Sequence, residues 1–352
     1  QNKTASGESQ SNQIIFGHID SVYSNVLSES RKIWIHIPES AKNNTSDETK
    51  YPVLYLLDGP GHFYSVTGMI KQLSTTNGNT IVPEMIVVAI PNTNRSRDLT
   101  PTHVDFDFFT RDSIQYASGG GNKFLDFVED ELIPHIEATY PASSYRTFVG
   151  HSFGGLSVIN ALISRPHVFN NYVAIDPSLW WDDQAFLHVA DSVLSVNNFD
   201  GKALYVGVAN TMSEGMDISR VSEDTTRSTA HIRSILQFVT SLEKMKDNQL
   251  LFGWKYYEGD SHGSVPLITE YDALRFLFPW YSITGLNRFF DPDSKATTAE
   301  LMEHINSHYE NISTHFGYKV IPPEQSINSL GYGFKNNKML DKAKALFEMN
   351  IK

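Results

Sequence analysis

Six short apolar runs constrain this chain more than any other feature: VLYLL (53–57), MIVVAI (85–90), RTFVG (146–150), YVAI (172–175), ALYVGV (203–208) and FGWKYY (252–257). Most carry apolar residues on both faces of an extended chain, so both faces must be covered. That is the signature of a parallel sheet sandwiched by helices, not of a half-exposed antiparallel one. The full set of expected strands is Ile14–Tyr23, Lys32–Pro38, Val53–Asp58, Met85–Ile90, Arg146–Gly150, Tyr172–Asp176, Ala203–Val208 and Phe252–Tyr257. The first two alternate more and read as an antiparallel hairpin leading into the sheet.

Helical patterns fill the gaps. In Asn122–Tyr140, Phe124, Phe127, Val128, Leu132 and Ile136 recur at near-helical spacing and Pro141 closes the segment. Gly155–Ser164, Thr226–Met245 and Pro266–Phe278 read as further helices. Alternation of this kind predicts an α/β architecture over residues 14–280, with a sheet of about eight strands and helices on both faces. After Pro279 the strand signal stops. Residues 295–352 read as an all-helical extension in which Leu301, Ile305, Tyr309 and Ile312 form one apolar stripe that needs a partner surface.

Composition narrows the function classes. A net charge of −12 argues against nucleic acid, which requires clustered Lys and Arg. No apolar run approaches the ~20 residues of a membrane span. Cysteine is absent, which removes disulfides, thiolate metal sites and a cysteine nucleophile together. The chain starts at Gln1 with a dozen small polar residues, and this reads as a sequence trimmed of an export signal or cut at an arbitrary boundary. A periplasmic or secreted location is the expectation, with the cytoplasm as the alternative.

Chemistry enters at Gly150-His151-Ser152-Phe153-Gly154, which fits G-x-S-x-G. A strand ends at the first glycine and an apolar helix starts after the serine. Small flanking residues allow a strained turn that lifts the Ser152 hydroxyl clear of the sheet, and the helix N-terminus favours negative charge beside it. A serine hydroxyl needs a base. His262, in the Gly/Ser-rich loop after the last expected strand, is the choice among 13 histidines; His231 on a helix and His62 after Asp58-Gly59 read as structural or pocket-lining. The acid is sought after the 203–208 strand, giving the order Ser, acid, His. Glu214 stands closest to the strand end, Asp224 is the alternative, Asp217 and Glu223 share the loop, and a Ser–His dyad is the fallback. Asp260 lies too near His262 in sequence to orient it. For the oxyanion hole, Phe153 supplies one N–H; Pro60 cannot supply another, which leaves Gly59 or Gly61.

The segments YPVLYLLDG (51–59), NRSRDLTP (94–101), FVGHSFGGL (148–156), IDPSLWWDD (175–183) and EGDSHGSV (258–265) resemble, in the same order, those of the putative-esterase family of α/β-hydrolases. That family includes esterase D, the antigen 85 mycolyltransferases, feruloyl esterases and siderophore trilactone esterases. SLWW and NRSRDLTP lean towards the siderophore branch. Pro60 departs from relatives that place an oxyanion donor at its position. The resemblance implies a serine esterase with a small-molecule ester substrate and no metal or cofactor. Trp180, Trp181, Arg95, Arg97 and His62 are its expected substrate-binding residues, against packing for the tryptophans and ion pairing with Asp98 or Asp105 for the arginines. A carbohydrate (feruloyl or acetyl) esterase is one alternative. Another is an inert hydrolase fold that acts as a scaffold through its C-terminal helices. Within those helices, Ile327, Leu330, Gly331, Phe334, Ala343 and Phe347 fall at the spacing of a single tetratricopeptide repeat; the favoured reading is a helical hairpin packed on the main domain near the mouth of the site, with a homodimer or a protein partner as the alternative.

Overall fold

The structure, a computed structural model, describes residues 14–43, 49–245 and 247–351. The polar N-terminal dozen that suggested an export signal lies outside the described residues. Eight strands form one sheet: β1 (His18–Ser24), β2 (Glu29–His36), β3 (Tyr51–Leu56), β4 (Ile86–Ala89), β5 (Ala142–His151), β6 (Asn171–Ile175), β7 (Ala203–Ala209) and β8 (Leu251–Tyr257). Their order is β1-β2-β4-β3-β5-β6-β7-β8. β1 and β2 form the expected antiparallel hairpin, β2 is also antiparallel to β4, and every later pairing is parallel. β3, β4, β6 and β7 are buried along their whole length, as their two-faced apolar character requires.

Two apolar layers cover the sheet. Helix α1 (Gly59–Ser74) lies on one face. Helices α2 (121–139), α3 (Phe153–Ser164), α4 (Ala185–Val196) and α5 (Ala230–Lys244) lie on the other, and α6 (Val265–Leu277) returns to the face of α1. Sequence periodicity missed α1 and α4. A single π turn at Val128–Leu132 interrupts α2 just before Pro134, whose absent N–H breaks the helical ladder.

Three further helices follow: α7 (Thr298–Phe316), α8 (Glu324–Asn336) and α9 (Leu340–Met349). Thr297 and Glu300 form a reciprocal capping box that starts α7. The α7 stripe divides its burial between two partners. Leu301 and Ile305 pack with Phe289, Ile327, Phe334 and Leu346 in a separate small core. Ile312 and Phe316 join the main core, where Phe316 meets Tyr145 edge-on at 5.0 Å. Tyr145 lies at the start of β5, about 20 Å of strand away from Ser152. The extension therefore docks at the opposite end of β5 from the serine and not at the mouth of the site. No helix among the described residues is long and apolar enough to cross a membrane.

Candidate active site

β5 delivers Ser152 onto a sharp turn before α3. The residue holds φ 61°, ψ −116°, a conformation that costs a non-glycine residue on the order of 1–3 kcal/mol. The surroundings fix it there. Ser152 N–H donates to Ile175 C=O at 2.9 Å, and its own C=O accepts from Leu156 and Ser178 at 3.0 and 3.1 Å. The turn is possible because a Cβ at Gly150 would sit 2.4 Å from the Gly154 backbone, and one at Gly155 would sit 3.0 Å from Pro177. The hydroxyl itself pairs with Ser178 Oγ at 3.2 Å. The Ser152 hydroxyl makes no hydrogen bond to His262; such nucleophile–base bonds often tighten only when substrate arrives.

His262, in the loop between β8 and α6, places Nδ1 at 2.6 Å from Asp176 Oδ2. Asp176 directly follows β6, is fully buried, and holds φ 42°. Its Oδ1 accepts the Ala209 N–H at 2.9 Å, and Oδ2 also faces His231 Nε2 at 2.8 Å. Burial by itself would raise the Asp176 carboxyl. The hydrogen bonds from His231 and His262, the His231 charge and the Ala209 N–H outweigh it and hold the group well below the usual carboxylate range. An ionised carboxylate only accepts, so His262 carries its proton on Nδ1 and keeps the Nε2 lone pair for a base's work.

The acid expected from sequence is thereby corrected. Glu214 is exposed in the loop after β7, and the carboxylate beside His262 is Asp176, one strand nearer to the serine. Asp217 and Asp224 brace local turns through the Ser219 and Thr226 N–H groups. The second oxyanion donor is corrected too. Gly59 N–H is bound to Ile90 C=O at 3.1 Å and Gly61 N–H to Asp58 C=O at 2.9 Å, because α1 begins there. By contrast, no described residue accepts the Phe153 N–H, which opens α3.

The two arginines are not free to meet a substrate. Arg95 forms a forked pair with Asp58, at 2.7 and 2.9 Å, and donates to His151 C=O. Arg97 is held by Glu29 and Asp98. His62 is bound at 2.8 Å to buried Glu270. Burial pushes the Glu270 carboxyl up; the same carboxylate raises His62 against the effect of burial. Between His62 and His262 stands His151, its ring 6.1 Å from the first and 4.4 Å from the second. Burial, with help from those two neighbours, pushes His151 down to about 4.

Trp181 is buried, with its indole N–H on Thr102 C=O, so its role is packing. Trp180 is half-buried and meets Phe108, Phe109 and Phe153. It lines a cleft of about 210 Å³ whose walls mix Phe106, Phe108 and Tyr116 with Asp105, Asp107, Asp182, Asp183 and Arg111. The wall meets the elbow through Trp180, whose ring stands 6.0 Å from that of Phe153, the residue after Ser152. Among the described residues, Asp176, His231 and His262 are the one group whose donor atoms lie close enough, within 4.8 Å, to hold a metal ion. Those donors are already spent on one another.

Sequence reasoning missed Asp176 and Ser178, and read His231, which the fold sets against Asp176, as structural or pocket-lining. The signal was available for the first: in a parallel sheet built strand by strand, β6 follows and adjoins β5. A carboxylate closing β6 therefore lands beside the elbow.

Eight strands in this order, helices on both faces and a strained strand–helix turn after β5 make the chain an α/β-hydrolase. Within that class it belongs to the Putative esterase family, whose model matches residues 24–237. It is accordingly an ester hydrolase. The chain is 26% identical over 251 residues to the ferri-bacillibactin esterase BesA of Bacillus subtilis (strain 168), covering 68% of this chain and 83% of the relative. It is 30% identical over 148 residues to the siderophore triacetylfusarinine C esterase of Aspergillus fumigatus, a match spanning 40% of this chain and about half (48%) of that protein. Among solved structures, an IroE-like serine hydrolase from Shewanella oneidensis superimposes with a TM-score of 0.76 at 31% identity, covering 95% of this chain and 98% of its own.

Proposed function

We propose that the protein cleaves a siderophore-type carboxylic ester through an acyl-enzyme on Ser152, with His262 as base and Asp176 as the carboxylate that orients it. The observation that carries this reading is the 2.6 Å contact of His262 Nδ1 with buried Asp176, at the sheet edge where Ser152 is held in a strained turn. The serine Oγ leaves Ser178 and attacks the ester carbonyl carbon as His262 Nε2 takes its proton. Negative charge gathers on the carbonyl oxygen, opposite the open Phe153 N–H and the positive end of α3. Collapse breaks the carbon–oxygen bond to the alcohol, which leaves with the His262 proton. Water then repeats the sequence, freeing the acid and restoring the Ser152 hydroxyl.

The substrate class rests on the relatives named for siderophore esters and on the aromatic cleft beside Trp180, which offers ring faces to an aryl group. Incubating the protein with a catecholate trilactone and with a feruloyl sugar tests it. The trilactone is expected to open to its linear acids, with Ser152→Ala inactive. Preferential release of ferulate would refute the substrate assignment.

A further inference from the structure

Asp176 receives three donors, although orienting one base requires only one. Ala209 N–H, from the end of β7, takes Oδ1 at 2.9 Å. His262 Nδ1 and His231 Nε2 both take Oδ2, at 2.6 and 2.8 Å. His231 lies in the first turn of α5, is largely buried, and its ring stands edge-on to that of His262 at 5.0 Å. The carboxylate is thus fixed from two elements, β7 and α5, and the remaining side of Oδ2 is presented to His262.

Resting on the serine-hydrolase reading above, we propose that His231 is a positioning residue for the reaction. It anchors Asp176 in one plane, and by sharing Oδ2 it limits how strongly the carboxylate stabilises protonated His262. Two consequences follow from removing it. Held from the scaffold by Ala209 alone, the carboxylate is fixed less firmly about its Cβ–Cγ bond, so His262 is aimed less tightly. The carboxylate also becomes the stronger partner of the imidazolium that forms as His262 takes the serine proton. Other charged and titratable groups near this cluster include His151 on β5, Asp260 in the His262 loop, the His62–Glu270 pair on α1 and α6, and the Asp58–Arg95 pair. All are unchanged in the comparison below.

The test compares His231→Leu and His231→Gln in steady-state hydrolysis of a small aryl ester across pH 5–9. Gln can return an N–H to the position of His Nε2; Leu cannot. His231→Leu is expected to lower kcat about tenfold or more, leave KM within about twofold, and move the acid limb of the profile to higher pH. His231→Gln is expected to restore most of kcat and the wild-type limb. A Leu variant with wild-type kcat and limb overturns the proposal, and so does a Gln variant as impaired as Leu. If the Leu variant does not fold, the Gln comparison against wild type decides alone. A fluorophosphonate separates this failure from failure of the underlying reading: wild-type protein that does not label at Ser152 refutes the serine mechanism itself, whatever the His231 variants do.

Discussion

Replacing Asp176 by Asn is the perturbation that the site's geometry makes most informative. The exchange preserves volume in a fully buried position, so the fold is expected to survive. Ala209 N–H demands an acceptor and will keep the amide oxygen on its side. The amide nitrogen then faces His262 Nδ1 and His231 Nε2, where the wild type has an acceptor for both. A donor there forces His262 to carry its proton on Nε2, the atom that must receive the serine proton. The imidazolium formed during attack also loses its counter-charge. The same exchange in a Ser-His-Asp triad costs about 10⁴ in kcat, or about 5.5 kcal/mol of barrier, and a loss of that order is expected here. Initial rates on a p-nitrophenyl ester, with folding checked by circular dichroism, would measure it, and Glu214→Gln in the exposed loop is expected to stay within about twofold. A folded Asp176→Asn enzyme with more than a tenth of wild-type kcat, or a Glu214→Gln enzyme reduced a hundredfold, would refute the assignment of the acid.

Two predictions concern stability. His151 stays neutral in the fold down to about 4, whereas an unfolded histidine takes up a proton near 6.5, so stability is lost as pH falls through that window; the gap is worth about 3 kcal/mol. Urea midpoints at pH 7 and pH 4.5 should show a smaller acid loss for His151→Gln than for wild type, and equal losses would contradict the burial argument. The Asp176 contribution is fully present across that window, because its lowered carboxyl stabilises the fold above the unfolded value of 3.8 and loses that stability only in stronger acid. Phe316→Ala removes the ring that joins α7 to Tyr145 and Trp280, and is expected to cost about 3 kcal/mol with kcat on small esters unchanged. A selective loss of kcat in a stable variant would place the extension in the catalytic machinery.

The strands were legible because each is a compact apolar run whose two faces are both covered, and the chain has no other way to bury them. The elbow was legible because Gly150 and Gly154 flank Ser152 between an apolar strand and an apolar helix, and at Gly150 a Cβ would meet the Gly154 backbone at 2.4 Å. His262 followed from its loop after the last strand. What failed was any inference that substituted chain order for position in space. Asp176 was read as the last residue of a strand and the acid was sought after β7, yet the ends of β6 and β7 are neighbours across one ladder, Ile175 pairing with Gly207. From there Asp176 reaches both Ala209 and His262. The second oxyanion donor failed similarly, since Gly59 and Gly61 look free in a glycine-rich loop and are spent once α1 begins at Gly59. Arg95 and Arg97 could be read as ligand-binding or as paired, and only the fold shows which carboxylates reach them.

The central claim is that Ser152 is a nucleophile made reactive by His262 and Asp176. It is tested most directly by treating the folded protein with a fluorophosphonate and mapping the adduct by mass spectrometry after digestion. One phosphonyl group per chain is expected, on the peptide containing Ser152, absent in Ser152→Ala and formed far more slowly in Asp176→Asn. No adduct on the wild type, or an adduct on another serine that persists in Ser152→Ala, would contradict it.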